Sequence, residues 1–441
     1  MKERRRPFSL LFFMFNFLRI KSNKMTNSIQ KKHDPFAVLR VKEFNFFLTN
    51  KFFFTLGIQM QSVIVGWQIY ALTKDVFALG MIGLAEAIPF IAVSLFSGHV
   101  ADHFDRKKII LLFTFLLLVA TGILFYFTLN TSTVLKSFGT LPIFVVIGFV
   151  GVIRGFLSAA FPSIMSQIVP RALYSNAATW NSTVWHIASV VGPASAGFLI
   201  SISYETAYII DILLIAISFL AFLFIKSKPI PVKEKVESLF ESLSAGIKFV
   251  FKNQLVLGAL SLDLFAVLFG GAIALLPAFA DKVLHAGAVE LGFLRAAPAI
   301  GAVVMALLIA YKPLGQNAGR NLFISVGLFG LATVLFGICT NFYWAMFFLF
   351  LTGAFDNVSV VIRHTVLQLS TPDEMRGRVS AVNGIFIGSS NEIGAFESGA
   401  TARMFGLKPS IILGGVLTIG VVLVIAKLAP KLRKLNIDSL K

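Results

Sequence analysis

Residues 98–129 read GHVADHFDRKKIILLFTFLLLVATGILFYFTL. Five charged side chains, Asp102, Asp105, Arg106, Lys107 and Lys108, crowd the first part, and none occurs from Ile109 to Leu129. A bilayer core about 30 Å thick takes roughly 20 mostly apolar residues in a helix. The stretch therefore reads as a charged junction followed by one membrane crossing. The rest of the chain repeats this grammar. Its 441 residues have a mean hydropathy of +0.84, with 57% hydrophobic and only 14% charged residues, where ordinary soluble domains carry about 25% charged. Such a chain lacks the polar residues for a water-facing surface. Its unbroken apolar runs exclude a membrane β-barrel, whose strands alternate every second residue.

The same reading gives twelve spans, at 44–72, 77–101, 109–129, 141–169, 173–200, 204–225, 254–280, 288–311, 320–340, 342–369, 375–402 and 408–429. An even number puts both termini on one side. Of the 39 Lys and Arg, thirty fall on that side, five on the other (Lys74, Lys136, Lys282, Arg403, Lys408) and four within spans (Lys51, Arg154, Arg295, Arg363). The bias places both termini in the cytoplasm. It also accounts for the formal charge of +18 without nucleic acid as a partner. The expected organisation is a cytoplasmic segment 1–42, a six-helix bundle 43–225, a cytoplasmic linker 226–253, a second bundle 254–429 and a cytoplasmic tail 430–441. Residues 1–24 carry Arg4, Arg5 and Arg6 before an apolar run too short to span and without a small-residue cleavage site, so Met25 is the expected initiator. In the linker, Leu239, Phe240, Leu243, Ile247 and Val250 recur at helical spacing, which predicts an amphipathic helix lying on the membrane. Cys339, the single cysteine, reads as a small buried hydrophobe.

An internal repeat supports the division into halves. An offset of 202 aligns Gly151 with Gly353, Pro170 with Pro372, Asn181 with Asn383, Gly192 with Gly394 and Gly197 with Gly399. In the second span of each half, Pro89 aligns with Pro298 at an offset of 209, the difference matching a longer loop at 130–140. Glycines that let helices approach closely are the positions expected to persist between repeats. The expected architecture is all-α, two pseudo-symmetric six-helix bundles with substrate between them.

The junction Gly98, Asp102, Asp105, Arg106, Lys107 resembles the loop signature of the major facilitator superfamily, with Asp105 where many members have Gly. In span five, Gly192-Pro193-Ala-Ser-Ala196-Gly197 is similar to the export motif of proton-coupled members, with Ala196 replacing one glycine. Thr371 to Val379, continuing through Glu392 and Gly394 to Gly399, resembles the drug and siderophore efflux branch. The resemblance covers about residues 35–430. It implies a secondary transporter of the bacterial cytoplasmic (inner) membrane, driven by the proton gradient without a bound cofactor or metal, working as a monomer. Its implied partners are the lipid bilayer and a small amphipathic substrate moved outward. It also implies that Asp102 and Arg106 pair in one conformation and separate in another. An importer or facilitator of the same fold is the alternative. A polytopic sensor or membrane enzyme is a third reading, disfavoured because no His-Glu-x-x-His, Gly-x-Ser-x-Gly, nucleotide-binding loop or cysteine pair occurs.

Charges inside spans are costly, about 2.5–3.5 kcal/mol each on insertion scales, so they should face a cavity or one another. The candidates for substrate or proton coupling are Glu86, Arg154, Arg295, Asp356, Arg363, Glu392 and Glu397. Glu86-x-x-Pro89 aligns with Arg295-x-x-Pro298, and Arg154 aligns with Asp356. Opposite charges at equivalent positions predict local pairs, Glu86–Arg154 and Arg295–Asp356. Asp211 and Asp263 are expected near the span ends, within reach of water, and His186 as a packed polar residue.

Overall fold

The computed structural model describes residues 34–129, 131–229, 239–312, 317–372 and 375–437. The expectation about Met25 falls outside these residues, as does the linker stretch 230–238. Among the described residues there are helices and turns and no strand. The spans are α1 (Lys42–Thr73), α2 (Val76–His103), α3 (Arg106–Leu129), α4 (Leu141–Ile168), α5 (Tyr174–Ile202), α6 (Tyr204–Leu223), α7 (Gln254–Phe269), α8 (Ala288–Tyr311), α9 (Ala318–Ile338), α10 (Phe342–Ser370), α11 (Arg376–Phe405) and α12 (Leu407–Leu428). Eleven spanning segments among the described residues are long and apolar enough to cross a membrane. The twelfth, α11, is more polar, and its residues Asn391 and Glu392 line the cavity described below.

Local chemistry sets the ends. Asp75 accepts from Phe77 N, Ser203 from Thr206 N, Asn253 from Leu255 N and Val256 N, and Asn341 from Tyr343 N and Trp344 N. Each satisfies a first-turn donor that the helix cannot satisfy itself. Span seven departs from the expected continuous 254–280. α7 stops at Phe269, Gly270 and Gly271 break it, a 3-10 turn follows at Ala272–Leu275, and an outer segment resumes at Leu276–Lys282 with Pro277 in its first turn. Two adjacent glycines weaken a helix interior, and proline suits a restart because its missing N–H would be unpaired there anyway.

The helices are inverted relative to a soluble protein. On α3, Leu112, Phe115, Val119, Ile123 and Tyr126 form an exposed stripe at helical spacing, the surface a lipid environment accepts. Its opposite side buries Thr114 and Thr121 with Ile110, Leu117 and Leu124. Inside the N-terminal half, α1 carries a polar ladder. Asn50 Nδ2 donates to Ser218 Oγ at 2.8 Å, Gln61 Nε2 to Thr121 Oγ1 at 2.8 Å, and Tyr208 Oη to Gln68 Oε1 at 2.6 Å.

The repeat appears as matched packing. α2 packs on α4 as α8 does on α10, α1 on α5 as α7 does on α11, and α3 on α6 as α9 does on α12. The aligned glycines occupy equivalent crossings. Gly151 abuts the backbone of Glu86 and Gly353 that of Pro298; Gly192 abuts Leu56 and Gln59, and Gly394 abuts Val267 and Leu268. The halves meet through two related pairs, α5 with α8 and α2 with α11. There Gly197 lies against Gly292, and Gly399 against Gly80. Both contacts lie toward the face opposite the chain ends. At that face Asp281 accepts from Lys74 Nζ at 3.0 Å and Tyr70 Oη at 3.1 Å, joining the outer segment of span seven to α1.

The linker helix, Leu239–Lys252, is amphipathic as expected, but protein covers part of its apolar face. Val250 is buried with Val256, Leu260, Leu367, Val379 and Val382, and Gly246 abuts the backbone of Arg378. Ile247 and Phe251 remain exposed for another apolar surface. Upstream, residues 34–41 dock on α5: Asn176 Nδ2 donates to Asp34 O at 2.8 Å and Trp180 Nε1 to Pro35 O at 3.0 Å.

Candidate functional site

A cavity of about 610 Å³ lies between the halves, bordered by side chains of both. Five of the seven proposed charges line it: Glu86 (α2), Arg154 (α4), Arg295 (α8), Asp356 (α10) and Glu392 (α11). Glu86 and Arg154 form the expected pair through Oε1 and Nη1. The same Nη1 stands 3.5 Å from Glu392 Oε1 in the other half. The second expected pair is not formed. Arg295 Nη2 instead donates to Ser62 Oγ of α1 at 2.9 Å, and among the described residues no ion pair joins it to Asp356. Glu392, a proposed coupling residue outside the expected pairs, has the neutral Val190 as its counterpart at the 202 offset. With a third carboxylate in the cavity, one-to-one pairing within each half no longer follows.

The other two proposed charges do not line the cavity. Glu397 follows Glu392 by five residues, and its backbone carbonyl accepts from Thr401 Oγ1 at 2.9 Å. Arg363 is buried in an ion pair with Asp263 of α7, both side chains at most 6% exposed. That corrects the expectation that water reaches Asp263: α10 packs against α7 at this level and closes it off. Asp211 is likewise fully buried, with Gln61 Nε2 at 3.5 Å from its Oδ2. Lys51, a fourth cation within a span, stands over the Phe161 ring at 4.4 Å, where the π face offsets part of its charge.

The loop signature sits at the end of the bundle that carries the chain ends. Arg106 Nε donates to Ala101 O at 2.9 Å and Nη1 to Ser163 O of α4 at 3.4 Å, while Nη2 stands 3.6 Å from Asp102 Oδ1. Asp105 Oδ1 accepts from Lys107 N at 2.9 Å, and Lys107 Nζ donates to Leu223 O at the end of α6 at 2.9 Å. These residues tie α2, α3, α4 and α6 together. Gly98 faces open space. In span five, Pro193 lines the cavity, Gly192 meets α1 and Gly197 meets α8. His186 stacks edge-on to Trp185, a cavity-lining residue, at 5.1 Å.

Sequence reasoning missed the Gly270–Gly271 break, which lines the cavity, although adjacent glycines in an apolar run are a legible breaker signal. It also missed Ser62, and Gln59, whose Nε2 donates to Ser189 Oγ at 3.0 Å. Nothing in the sequence distinguishes these side chains from other polar residues.

A family described as "Transmembrane secretion effector" matches residues 33–441. The enterobactin exporter EntS of Shigella flexneri is 26% identical over 390 residues, covering 85% of this chain and 89% of the relative. The enterobactin exporter EntS of Escherichia coli O81 is also 26% identical with the same coverage. Among solved structures, a bacterial homologue of the human lysosomal transporter Spinster, inward-facing and unoccupied, superposes with a TM-score of 0.69 at 14% identity, covering 89% of this chain and 98% of that one. A POT family transporter in complex with 5-aminolevulinic acid gives 0.70 at 11% identity, covering 88% and 96%.

Proposed function

We propose, from the premise that the chain belongs to the transmembrane secretion effector family of major facilitator transporters, that it exports a small amphipathic molecule across the bacterial cytoplasmic membrane. Export proceeds by alternating access and draws on the proton gradient. The face carrying the chain ends is cytoplasmic, in line with the split of thirty cationic residues to five.

The observation that carries this reading is the position of Arg154. It sits at the cavity between the halves and is shared by Glu86 of its own half and Glu392 of the other. A rocking motion that separates the halves must alter the Glu392 contact, so charge in the cavity and conformation are linked. The glycine contacts and the Lys74–Asp281 pair close the face away from the chain ends, as a cytoplasm-open state requires. A volume of about 610 Å³ suits a small organic cargo. The exporter relatives support the outward direction.

The test is accumulation of a panel of labelled metabolites and drugs in cells with and without the gene, with and without an uncoupler. Export predicts lower accumulation of at least one compound in expressing cells, abolished by the uncoupler. Higher accumulation would make the protein an importer, and a difference that survives the uncoupler would remove the proton gradient as the driving force.

A further inference from the structure

We infer that Arg295 and Ser62 form the seat for an oxyanion of the transported molecule, so that the cargo is an amphipath ending in an acidic oxygen group. The inference rests on the export reading and names its substrate class.

One edge of the guanidinium is half used. Nη2 donates to Ser62 Oγ at 2.9 Å, and the buried Nε has no hydrogen-bond partner among the described residues. Nε–H and Nη2–H lie on one edge of the planar group and point the same way, the edge that receives both oxygens of a carboxylate. One donor is thus held by a neutral hydroxyl and the other is idle. Ser62, having accepted from Arg295, keeps its own O–H to donate. The site offers hydrogen-bond donors to an oxygen ligand.

The cavity wall carries three carboxylates and two guanidiniums, and ion pairing distinguishes the two arginines. Arg154 has two carboxylates, whereas Arg295 forms no ion pair among the described residues. Glu392 is within charge–charge range of Arg295 but is shared with Arg154. Asp356, also in the cavity wall, is the opposite candidate, a seat for a cationic cargo. The two differ in one respect. A carboxylate can be neutralised by a proton, while a guanidinium stays charged at any physiological pH. Of the two, Arg295 is the group whose charge calls for a counter-ion. The remaining wall supplies Ile58, Val150, Trp185 and Phe329 for an apolar body. Ser62 belongs to the N-terminal half and Arg295 to the C-terminal half, so an anion held here touches both and can bias their relative position.

The test uses the full-length protein in lipid nanodiscs and titration calorimetry with three probes of similar size: 1-naphthoate, 1-naphthamide and 1-naphthylmethylammonium. The expected order is naphthoate tighter than the amide by about tenfold or more, with the ammonium weakest. Arg295→Gln should bring naphthoate and amide within about twofold, Arg295→Lys should keep part of the preference, and Ser62→Ala should weaken naphthoate more than the amide. An amide or ammonium probe that binds as well as naphthoate in the wild type overturns the inference, and that comparison needs no variant to fold. A preference that survives Arg295→Gln overturns it too, as does absence of naphthoate binding at millimolar concentration. The two readings separate cleanly. A naphthoate preference without uncoupler-sensitive efflux leaves the seat standing and removes export. Efflux without the preference does the reverse.

Discussion

Glu392 of α11 brings its carboxylate to 3.5 Å from Arg154 of α4, an arginine already paired with Glu86. One guanidinium therefore serves carboxylates from both halves. Arg154→Gln takes an ion pair from both acids, whereas Glu86→Gln or Glu392→Gln leaves the arginine one partner. Breaking a buried pair from one side typically costs about 3–5 kcal/mol; Arg154 is 35% exposed to the cavity, so screening should bring the loss to about 3 kcal/mol or less. Thermal unfolding in detergent should rank Arg154→Gln as the most destabilising of the three. Equal losses would mean that the two carboxylates do not share it.

The Arg363–Asp263 pair makes a different prediction, because both side chains are almost wholly buried and neither lines the cavity. Asp263→Asn or Arg363→Gln alone should cost about 3–5 kcal/mol, and the double variant should recover much of that. Probe binding should not change in any variant that folds. Simple additivity in the double variant would rule out the pairing, and altered probe affinity would place the pair in the site.

Much of the fold was legible because a membrane imposes it: twelve long apolar stretches and repeat-equivalent glycines give span number and architecture. The Glu86–Arg154 pair was legible from local cost, since a charge in a span needs a partner. Arg363 with Asp263, and Glu392 with Arg154, were not. Both depend on which faces α7 and α11 turn inward: near-uniform apolarity gives α7 little facial signal, and the more polar α11 carries several polar side chains of which the pattern does not say which meets Arg154. Ser62 was invisible for the same reason, being one hydroxyl among many.

Glycine positions separate packing from signature. A Cβ on Gly151 would collide with the backbone of Glu86, and one on Gly353 with that of Pro298. Backbone cannot step aside as a side chain can, so Gly151→Ala and Gly353→Ala should each cost about 1–3 kcal/mol. A Cβ on Gly98 meets nothing within 4 Å, so Gly98→Ala should stay within about 0.5 kcal/mol of wild type. Chemical denaturation or thermal shift would check all three, and a large loss at Gly98 would contradict the open space around it.

Orientation can be read with thiol labels. In a Cys339→Ser background, a cysteine at Lys136 or Lys282 should react with an impermeant maleimide added to intact spheroplasts, and one at Lys248 should react only after lysis. The reverse pattern would invert the topology and with it the direction assigned to the closed face.

Arg106 and Asp102 should not be equivalent, although both belong to the loop signature. Asp102 is 34% exposed and its 3.6 Å approach to Arg106 is a long one. Such partly solvated pairs contribute about 1 kcal/mol or less. Arg106 is only 10% exposed, and it also donates to Ala101 O of its own junction and to Ser163 O on α4. Arg106→Ala thus takes one donor from carbonyls on two helices, in a place where water reaches poorly, and loosens α2 and α3 from α4. Arg106→Ala should therefore lower uncoupler-sensitive efflux strongly and reduce thermal stability by more than Asp102→Asn does. If Asp102 acts as a conformational switch as well, Asp102→Asn will lower efflux by more than its change in melting temperature accounts for. Wild-type efflux in both variants, with folded protein in the membrane, would remove the loop from the transport cycle and leave it as a structural junction.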